Sequence, residues 1–172
     1  GKNRGDLFYS TKEIDGWSKL EDLGKNINNK DTWETGASIS FDKKTLYFVS
    51  DREGGKGKRD IWKSNWDEEK SRWGEATNLS ATINTAYDEV GIFVHPDGKT
   101  FYFSSGGHNS MGGFDIFKTT LNDDGTFETP ENIGFPVNTP DDDVHFVMAG
   151  NGRHGYYSSF KADGYGEKDI YL

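Results

Sequence analysis

Acidic residues recur at a fixed place in this sequence and are the first candidates for chemistry. Each stands just before an apolar, strand-like run, and the repeated acids are Glu34, Glu89 and Asp143, with Asp31, Asp88 and Asp142 nearby. Two carboxylates roughly 5–9 Å apart can hydrolyse glycosides, and clustered carboxylate oxygens can bind a cation such as Ca²⁺. A repeated residue can equally serve a repeated structural need, such as a hydrogen bond to a neighbouring backbone. Catalysis, cation binding and a structural role all stay open at this point.

Other residue types that perform catalysis form no recognisable centre. No pair of histidines has metal-ligand spacing, and the four are His95, His108, His145 and His154. A Gly-x-Ser-x-Gly nucleophile turn does not occur. There is no cysteine, and therefore no thiolate ligand, Cys nucleophile or disulfide. We expect a chain that is not an enzyme and that has neither a cofactor nor a metal site.

Aromatic residues beside the acids suggest recognition instead. Trp33 and Tyr87 occupy near-equivalent positions next to the repeated acids, and Arg52 precedes a short basic stretch. Exposed aromatic and arginine side chains are favoured in protein interfaces. The candidate residues for binding a ligand or partner are Trp33, Glu34, Arg52, Tyr87, Glu89 and Asp143.

Composition excludes several classes of partner. The 172-residue chain has a formal charge of −9, so a phosphate backbone would repel it, and we expect no nucleic-acid binding. No apolar run reaches the roughly 18 residues of a membrane span, so we expect no direct membrane insertion. Aromatic residues make up 15% of the chain and Gly contributes 22 residues. This bias favours short strands joined by tight turns.

A repeat of about 54 residues organises the sequence and must position these side chains. An Asp followed by Leu or Ile and an aromatic residue occurs four times, with spacings of 54, 55 and 54 residues, at Asp6, Asp60, Asp115 and Asp169. Trp17, Trp73 and Phe127 keep the same period, and an Asn follows each of them 11 residues later. We expect the repeated Asp to accept hydrogen bonds from the loop before it.

One repeat contains four strand candidates. In the second they are 90–94, 100–105, 114–120 and 127–133, with a Pro-Asp-Gly turn between the first two. Four antiparallel strands of this length make one β-propeller blade. A β-sandwich also has many short strands, but it has no reason to repeat an Asp-Ile-aromatic signature at nearly constant spacing. The predicted fold is all-β, with about three four-stranded blades of a partial propeller.

The repeated segments resemble a known family. The turn and strand of 95–105, His-Pro-Asp-Gly-Lys-Thr-Phe-Tyr-Phe-Ser-Ser, and the later Gly-Gly-Phe-Asp-Ile-Phe of 112–117 are similar to the WD-like repeat of TolB-type propellers. The longer Gly-rich form resembles propellers of periplasmic OmpA-family proteins from Bacteroidetes, some associated with type IX secretion and gliding. This resemblance implies a location in the periplasm or at the outer membrane, and a scaffold that binds protein, with peptidoglycan held by other domains.

The strand count predicts an incomplete ring. The chain is expected to form one propeller segment over 1–172, with repeat units 1–16 (partial), 17–72, 73–126 and 127–172. Strands then number 2, 4, 4 and 3, whereas closed propellers have four to eight blades. The expected partner is therefore another protein or the remainder of the same propeller. A carbohydrate-binding protein or glycoside hydrolase is the alternative, and a calcium-stabilised structural protein is a third possibility.

Overall fold

A computed structural model describes residues 5–161 and 164–172, so positions 1–4 and 162–163 of the predicted segment lie outside it. Sixteen strands follow one another along the described residues: β1 (Phe8–Tyr9), β2 (Lys12–Glu13), β3 (Gly16–Trp17), β4 (Glu21–Asp22), β5 (Glu34–Ile39), β6 (Thr45–Ser50), β7 (Asp60–Asp67), β8 (Arg72–Trp73), β9 (Thr77–Asn78), β10 (Glu89–Val94), β11 (Thr100–Ser105), β12 (Asp115–Thr120), β13 (Glu131–Asn132), β14 (Asp143–Met148), β15 (Gly155–Ser159) and β16 (Asp169–Tyr171). None of the described residues forms a helix that could cross a membrane.

The strands form successive antiparallel blades. Blade one is β5-β6-β7 with β8 and β9 paired to β7, blade two is β10-β11-β12-β13, and blade three is β14-β15-β16. Before them, β1 pairs with β4, and β2 and β3 form a small hairpin. The predicted all-β propeller blades are confirmed. Each sequence unit therefore carries the outer strand of one blade and the three inner strands of the next.

The outermost strands are shorter than the sequence predicts. The fourth strand of blade two was expected over 127–133, but only β13 is a strand, and Phe127 makes an isolated bridge with Leu121. In blade one the same position is divided between β8 and β9. Outer strands pair along only one edge, and they are rich in turn-forming residues here, so the predicted strand 127–133 is too long.

The hydrophobic core lies between blades rather than inside one. Strand two of one blade packs against strands one and two of the next, as Tyr47 does against Phe101 at a ring-centroid distance of 5.1 Å. Tyr102 repeats this contact against Phe146 at 4.6 Å. A third cluster, around Phe48 and Trp62, joins blade one to Leu7 and Leu23. The blades are therefore stabilised mainly by their neighbours.

The first strands of the three blades lie side by side, and each has an irregularity in its register just after the repeated acid. At this position Gly36 has φ of 55° and His145 has φ of 59°. Such positive φ values suit glycine, which has no Cβ to collide with the backbone. The bulge turns the start of each first strand, and with it the acid, toward the loops at one end of the blades.

Candidate functional site

A buried carboxylate begins each blade and faces a serine and an aspartate on the next two strands. In blade two Glu89 lies opposite Ser105, which lies opposite Asp115. The same pairing joins Glu34, Ser50 and Asp60 in blade one, and Asp143, Ser159 and Asp169 in blade three. We call each acid with its hydrogen-bonding partners an acid junction, and number the junctions with the blades.

In junction two, no cationic side chain of residues 5–161 and 164–172 pairs with Glu89. Its carboxylate is fully buried and accepts 2.8 Å hydrogen bonds from the hydroxyls of Thr85 and Ser105. The Thr85 backbone N–H donates at 3.3 Å. Burial raises the pKa of Glu89 to about 7, because these hydrogen bonds only partly replace the lost hydration of the ionised form.

Junction one places a cation beside the equivalent acid. Glu34 accepts from the hydroxyls of Thr32 and Ser50 at 2.6 and 2.8 Å, and Arg52 donates to it at 3.3 Å. Arg52 also donates to the Ile27 carbonyl at 2.5 Å. Its own pKa is lowered by burial, and the opposing charge of Glu34 resists that change. The buried acid of junction one is thus neutralised by its neighbour.

Junction three contains a shorter acid. Asp143 accepts from the Thr139 backbone N–H at 2.6 Å and from its hydroxyl at 3.0 Å. Its Oδ1 is buried and has no hydrogen-bond partner among the described residues. The Ser159 hydroxyl, which would match Ser50 and Ser105, donates to the Phe160 carbonyl instead. The missing methylene group of Asp143 accounts for this difference, since Glu extends one carbon further.

The repeated Asn supports each junction from the preceding loop. Asn84 accepts from the backbone N–H of Ile61 and donates to its carbonyl, both at 2.9 Å. Asn28 makes the same pair with Leu7, and Asn138 makes it with Ile116. Each Asn thereby replaces a missing strand at the edge of strand three. This satisfies backbone groups that would otherwise be buried unpaired.

Beside each junction, a basic side chain packs against two aromatic rings: Arg52 in blade one, His108 in blade two and Lys161 in blade three. The Arg52 guanidinium lies 4.8 Å from the Phe48 centroid and 5.4 Å from that of Trp62. Lys161 lies 5.5 Å from Tyr157 and 4.1 Å from Tyr171. In blade two His108 packs near the equivalent rings and its Nε2 lies 2.9 Å from the Ile83 carbonyl. Sequence reasoning singled out Arg52 but missed Lys161 and His108, although Arg52 and Lys161 both stand two residues after a strand-ending serine.

The repeated Asp shapes the Gly-rich loops, as predicted. Asp60 accepts from the backbone N–H of Lys56 at 3.0 Å, and Asp115 accepts from that of Met111 at 2.6 Å. Asp169 does the same with Tyr165 at 2.7 Å. These hydrogen bonds confirm the predicted role. They also turn the tip side chains outward, so that Lys56, Met111 and Tyr165 are exposed.

Trp33 and Tyr87 are the exposed members of the predicted site. Their side chains are 48% and 65% exposed, and they line neighbouring shallow pockets that share Lys58 and Asp88. The Trp33 backbone N–H donates to Asp51 at 2.7 Å, and that of Tyr87 donates to the Thr85 hydroxyl at 3.0 Å. Thr85 in turn binds Glu89. The buried acid therefore orders the loop that presents the aromatic ring.

We call this surface the loop face: the loops before β5, β10 and β14 and the Gly-rich loops before β7, β12 and β16. An ion pair connects the loops of blades one and two, with Arg59 Nη2 2.8 Å from Asp88. Within blade three, Lys168 lies 3.1 Å from Asp142. Sequence reasoning missed Met111 and Tyr165, which occupy one repeat position, the sixth after the strand-ending serine. That shared position was the available signal.

The loop face presents exposed aromatic and charged side chains above the buried acids. Glu34 and Glu89 are buried and accept hydrogen bonds from Thr32 and Thr85 of their own loops, while Trp33 and Tyr87 face solvent beside charged side chains. Within 5–161 and 164–172, no group of three or more His, Cys, Asp and Glu side chains is arranged to hold a metal ion. The buried Glu34 and Glu89 hold the loops through hydrogen bonds, and Trp33 and Tyr87 on these loops are exposed.

Comparisons with known proteins identify the fold. No protein-family model and no curated protein matches the chain. Among solved structures, TolB from Acinetobacter baumannii superposes with a TM-score of 0.57 at 14% identity, over 96% of this chain and 37% of that one. A candidate TolB from Agrobacterium tumefaciens gives 0.55 at 20% identity, over 86% and 44%. The fold is that of a TolB-like β-propeller. At these identities the likeness concerns the fold alone, and the chain spans less than half the length of either structure.

Proposed function

We propose that this chain is a non-enzymatic propeller module that binds a protein partner through its loop face. One observation carries the proposal: Trp33 and Tyr87 are exposed in adjoining pockets, on loops ordered by buried carboxylates. Aromatic side chains supply large contact areas at little cost in conformational entropy. The predicted binding set divides accordingly. Trp33 and Tyr87 contact the partner, whereas Glu34, Glu89, Asp143 and Arg52 hold the contact loops in place.

The TolB-like fold supports a setting in the cell envelope. We propose a periplasmic location or the periplasmic side of the outer membrane, in an assembly of the OmpA-associated or type IX secretion kind, with peptidoglycan bound by other domains. The chain's negative charge argues against nucleic acid as the partner. Fractionation of bacteria that express the tagged protein with its native leader region, followed by immunoblot, tests the location. Recovery in the cytoplasmic fraction would contradict it.

A binding experiment with matched variants tests the loop face. The immobilised chain is exposed to an envelope extract, and the retained proteins are compared for wild type, Trp33→Ala with Tyr87→Ala, and Trp17→Ala. Trp17 is an exposed tryptophan on the β2-β3 hairpin, away from the loop face. We expect a partner that the double variant loses at least tenfold and that Trp17→Ala retains. Equal retention by all three proteins would reject the loop face.

Carbohydrate binding is the second candidate, because an exposed tryptophan beside carboxylates and arginine also suits a sugar ring. Trp33 lines a pocket with Asp51, Arg59 and Asp88. A glycan array and co-sedimentation with purified peptidoglycan distinguish the two candidates. Binding to either that is lost in Trp33→Ala would favour this candidate, and a blank result with both would remove it.

A further inference from the structure

One position of the loop face carries a different charge in each blade. Two residues before the repeated Asp stand Lys58 in blade one, Gly113 in blade two and Glu167 in blade three. A side chain that every blade needs recurs in every repeat, as the repeated Asp and Asn do. The blade fold therefore accommodates a cation, an anion or no side chain at this position, and Lys58 is free to serve a purpose that belongs to blade one.

The main chain is held on both sides of Lys58. A Cβ on Gly57 would collide with the Tyr87 carbonyl oxygen, so a glycine is needed where these two loops touch. On the other side, the Arg59 backbone N–H donates to Asp88 at 3.2 Å. The Gly-rich loop of blade one therefore rests directly on the loop that presents Tyr87, and Lys58 emerges where the two loops meet.

The Lys58 side chain is exposed and uncommitted. Within residues 5–161 and 164–172, it forms neither an ion pair nor a side-chain hydrogen bond. Asp88, the nearest acid of the adjoining loop in blade two, accepts from Arg59 Nε at 3.1 Å and Nη2 at 2.8 Å. Asp51 accepts from the Trp33 backbone N–H at 2.7 Å. The ammonium of Lys58 is therefore available to a group from outside the chain.

The position of Lys58 connects the two exposed aromatic side chains. It lines the pocket that contains Trp33 and also the neighbouring pocket that contains Tyr87. A ligand that occupies both pockets must cross the ammonium between them. The surface thus offers an apolar contact, a cation and a second apolar contact in that order.

We propose that the partner segment bound by the loop face carries a carboxylate between two apolar side chains. The carboxylate pairs with Lys58, and the apolar side chains pack on Trp33 and Tyr87. The occupant is thus an acidic peptide segment of another protein, and this inference rests on the proposed function. The acids that line the same pockets disfavour a more highly charged group such as a phosphate, and they are Asp51, Glu53 and Asp88.

The overall charge of the chain makes this cation selective. With a formal charge of −9, the chain repels an acidic segment over most of its surface, and Lys58 is a local exception. Complementary charges in an interface fix the register of binding and exclude wrong partners more than they add affinity. Because the main chain beside Lys58 is already ordered, little conformational entropy of the backbone is lost on binding. Lys58 therefore determines which segment binds and in which register.

A charge reversal tests the proposal without a known partner. A phage-displayed library of random peptides is selected on the wild-type chain, on Lys58→Glu and on Lys118→Glu. Lys118 is an exposed lysine on β12, outside the loop face, and its variant makes the same change in net charge. We expect Asp or Glu between apolar residues from wild type and from Lys118→Glu, and Lys or Arg at that place from Lys58→Glu. Circular dichroism checks that each variant is folded.

The results separate this inference from the proposed function when Trp33→Ala with Tyr87→Ala is included. Peptides that lose binding to the double variant but show no preference for a carboxylate, or that are the same for wild type and Lys58→Glu, would overturn the role of Lys58 and leave the loop face intact. Peptides that bind the double variant as well as wild type, or the enrichment of no sequence at all, would reject both.

Salt dependence of a selected acidic peptide gives a second readout. We expect its affinity for the wild-type chain to fall about fivefold between roughly 50 and 300 mM NaCl, because salt screens an exposed ion pair. Lys58→Met keeps the length of the side chain but removes its charge, so its weaker binding should change less than about twofold over the same range. Equal salt dependence of the two proteins would contradict the pairing with Lys58.

Discussion

Junctions one and two hold the same glutamate at the same place in the repeat but neutralise it differently. Glu34 has Arg52 at 3.3 Å, whereas the donors to Glu89 in the described part of the chain are hydroxyl and N–H groups, and its pKa is raised to about 7. Gly107 stands at the repeat position of Arg52 in blade two, and a Cβ there would lie 2.3 Å from the Thr85 hydroxyl. Blade two therefore has a tight loop in place of a cation. The backbone fold repeats, but its electrostatics do not.

The largest expected change in the free energy of unfolding comes from replacing the Asn that supports each junction. Asn84 is fully buried and makes three hydrogen bonds, to both backbone groups of Ile61 and to Asn78. Asn84→Ala should lower the free energy of unfolding by about 3 kcal/mol, because buried backbone groups lose their partners. Asn28→Ala should cost less, since Asn28 is only partly buried. Urea denaturation of both variants measures this, and equal losses would contradict the difference.

Removal of the cation should make junction one behave like junction two. Arg52→Met leaves Glu34 buried without its ion pair and removes a donor from the Ile27 carbonyl. We expect a loss of about 2–3 kcal/mol at pH 8. A smaller loss is expected at pH 5, because lower pH favours the uncharged form of a buried carboxyl group that has lost its ion pair.

Lys44→Met is the control for that substitution. Its ion pair with Glu68 is exposed on both sides, so we expect a change below about 0.5 kcal/mol at either pH. Thermal unfolding of both variants at pH 5 and pH 8 gives the comparison. A loss for Arg52→Met that does not depend on pH would mean that packing on Phe48 and Trp62, rather than charge, is its main role.

The repeat in the sequence predicts most of the fold but only part of the candidate site. The predicted strand 100–105 forms β11 with the same bounds, because a short aromatic run bounded by turn residues is a strong local signal. The burial of Glu34 and Glu89 was not predictable in this way. It depends on hydroxyl groups from two separate segments, and an acid before a strand is equally typical of an exposed position.

Differences between repeats were also beyond sequence reasoning. Arg52 was singled out as a binding residue from its basic neighbourhood, yet its guanidinium spans Glu34, Ile27 and two rings. His108 covers the equivalent rings from a position one residue later. When the repeats are aligned by their 54–55-residue spacing, Arg52 aligns with Gly107 and not with His108. Only the path of the loop brings them to the same place.

The raised pKa of Glu89 predicts a pH dependence. The ordinary pKa of 4.5 applies to the unfolded chain and about 7 to the folded one, so the folded state binds more protons between these values. This contribution to stability is complete below about pH 4.5 and is lost as the pH rises through 7. Its full size is about 3 kcal/mol.

Glu89→Gln should remove this dependence. The amide keeps an acceptor for Ser105 or Thr85 and cannot ionise, so we expect the variant to exceed wild type by about 1–2 kcal/mol at pH 8 and to match it near pH 5. Glu34→Gln is the matched variant and should be destabilising at both pH values, because it leaves Arg52 without its ion pair. Denaturation of the two variants across pH 5–9 measures these differences. A Glu89→Gln variant less stable than wild type at pH 8 would contradict the raised pKa of Glu89.

The smallest expected effect concerns junction three. Among the described residues, one buried oxygen of Asp143 has no hydrogen-bond partner, and the Ser159 hydroxyl is directed to the Phe160 carbonyl. Asp143→Glu supplies the methylene group present in junctions one and two and brings the carboxylate within reach of Ser159. We expect a gain of about 1 kcal/mol, read as a higher melting temperature at pH 5, where a buried carboxyl can stay protonated. Ser159→Ala in the Asp143→Glu background should remove that gain, whereas Ser159→Ala alone should change stability little. A gain that survives Ser159→Ala would mean that the longer side chain fills space rather than restoring the hydrogen bond of the other two junctions.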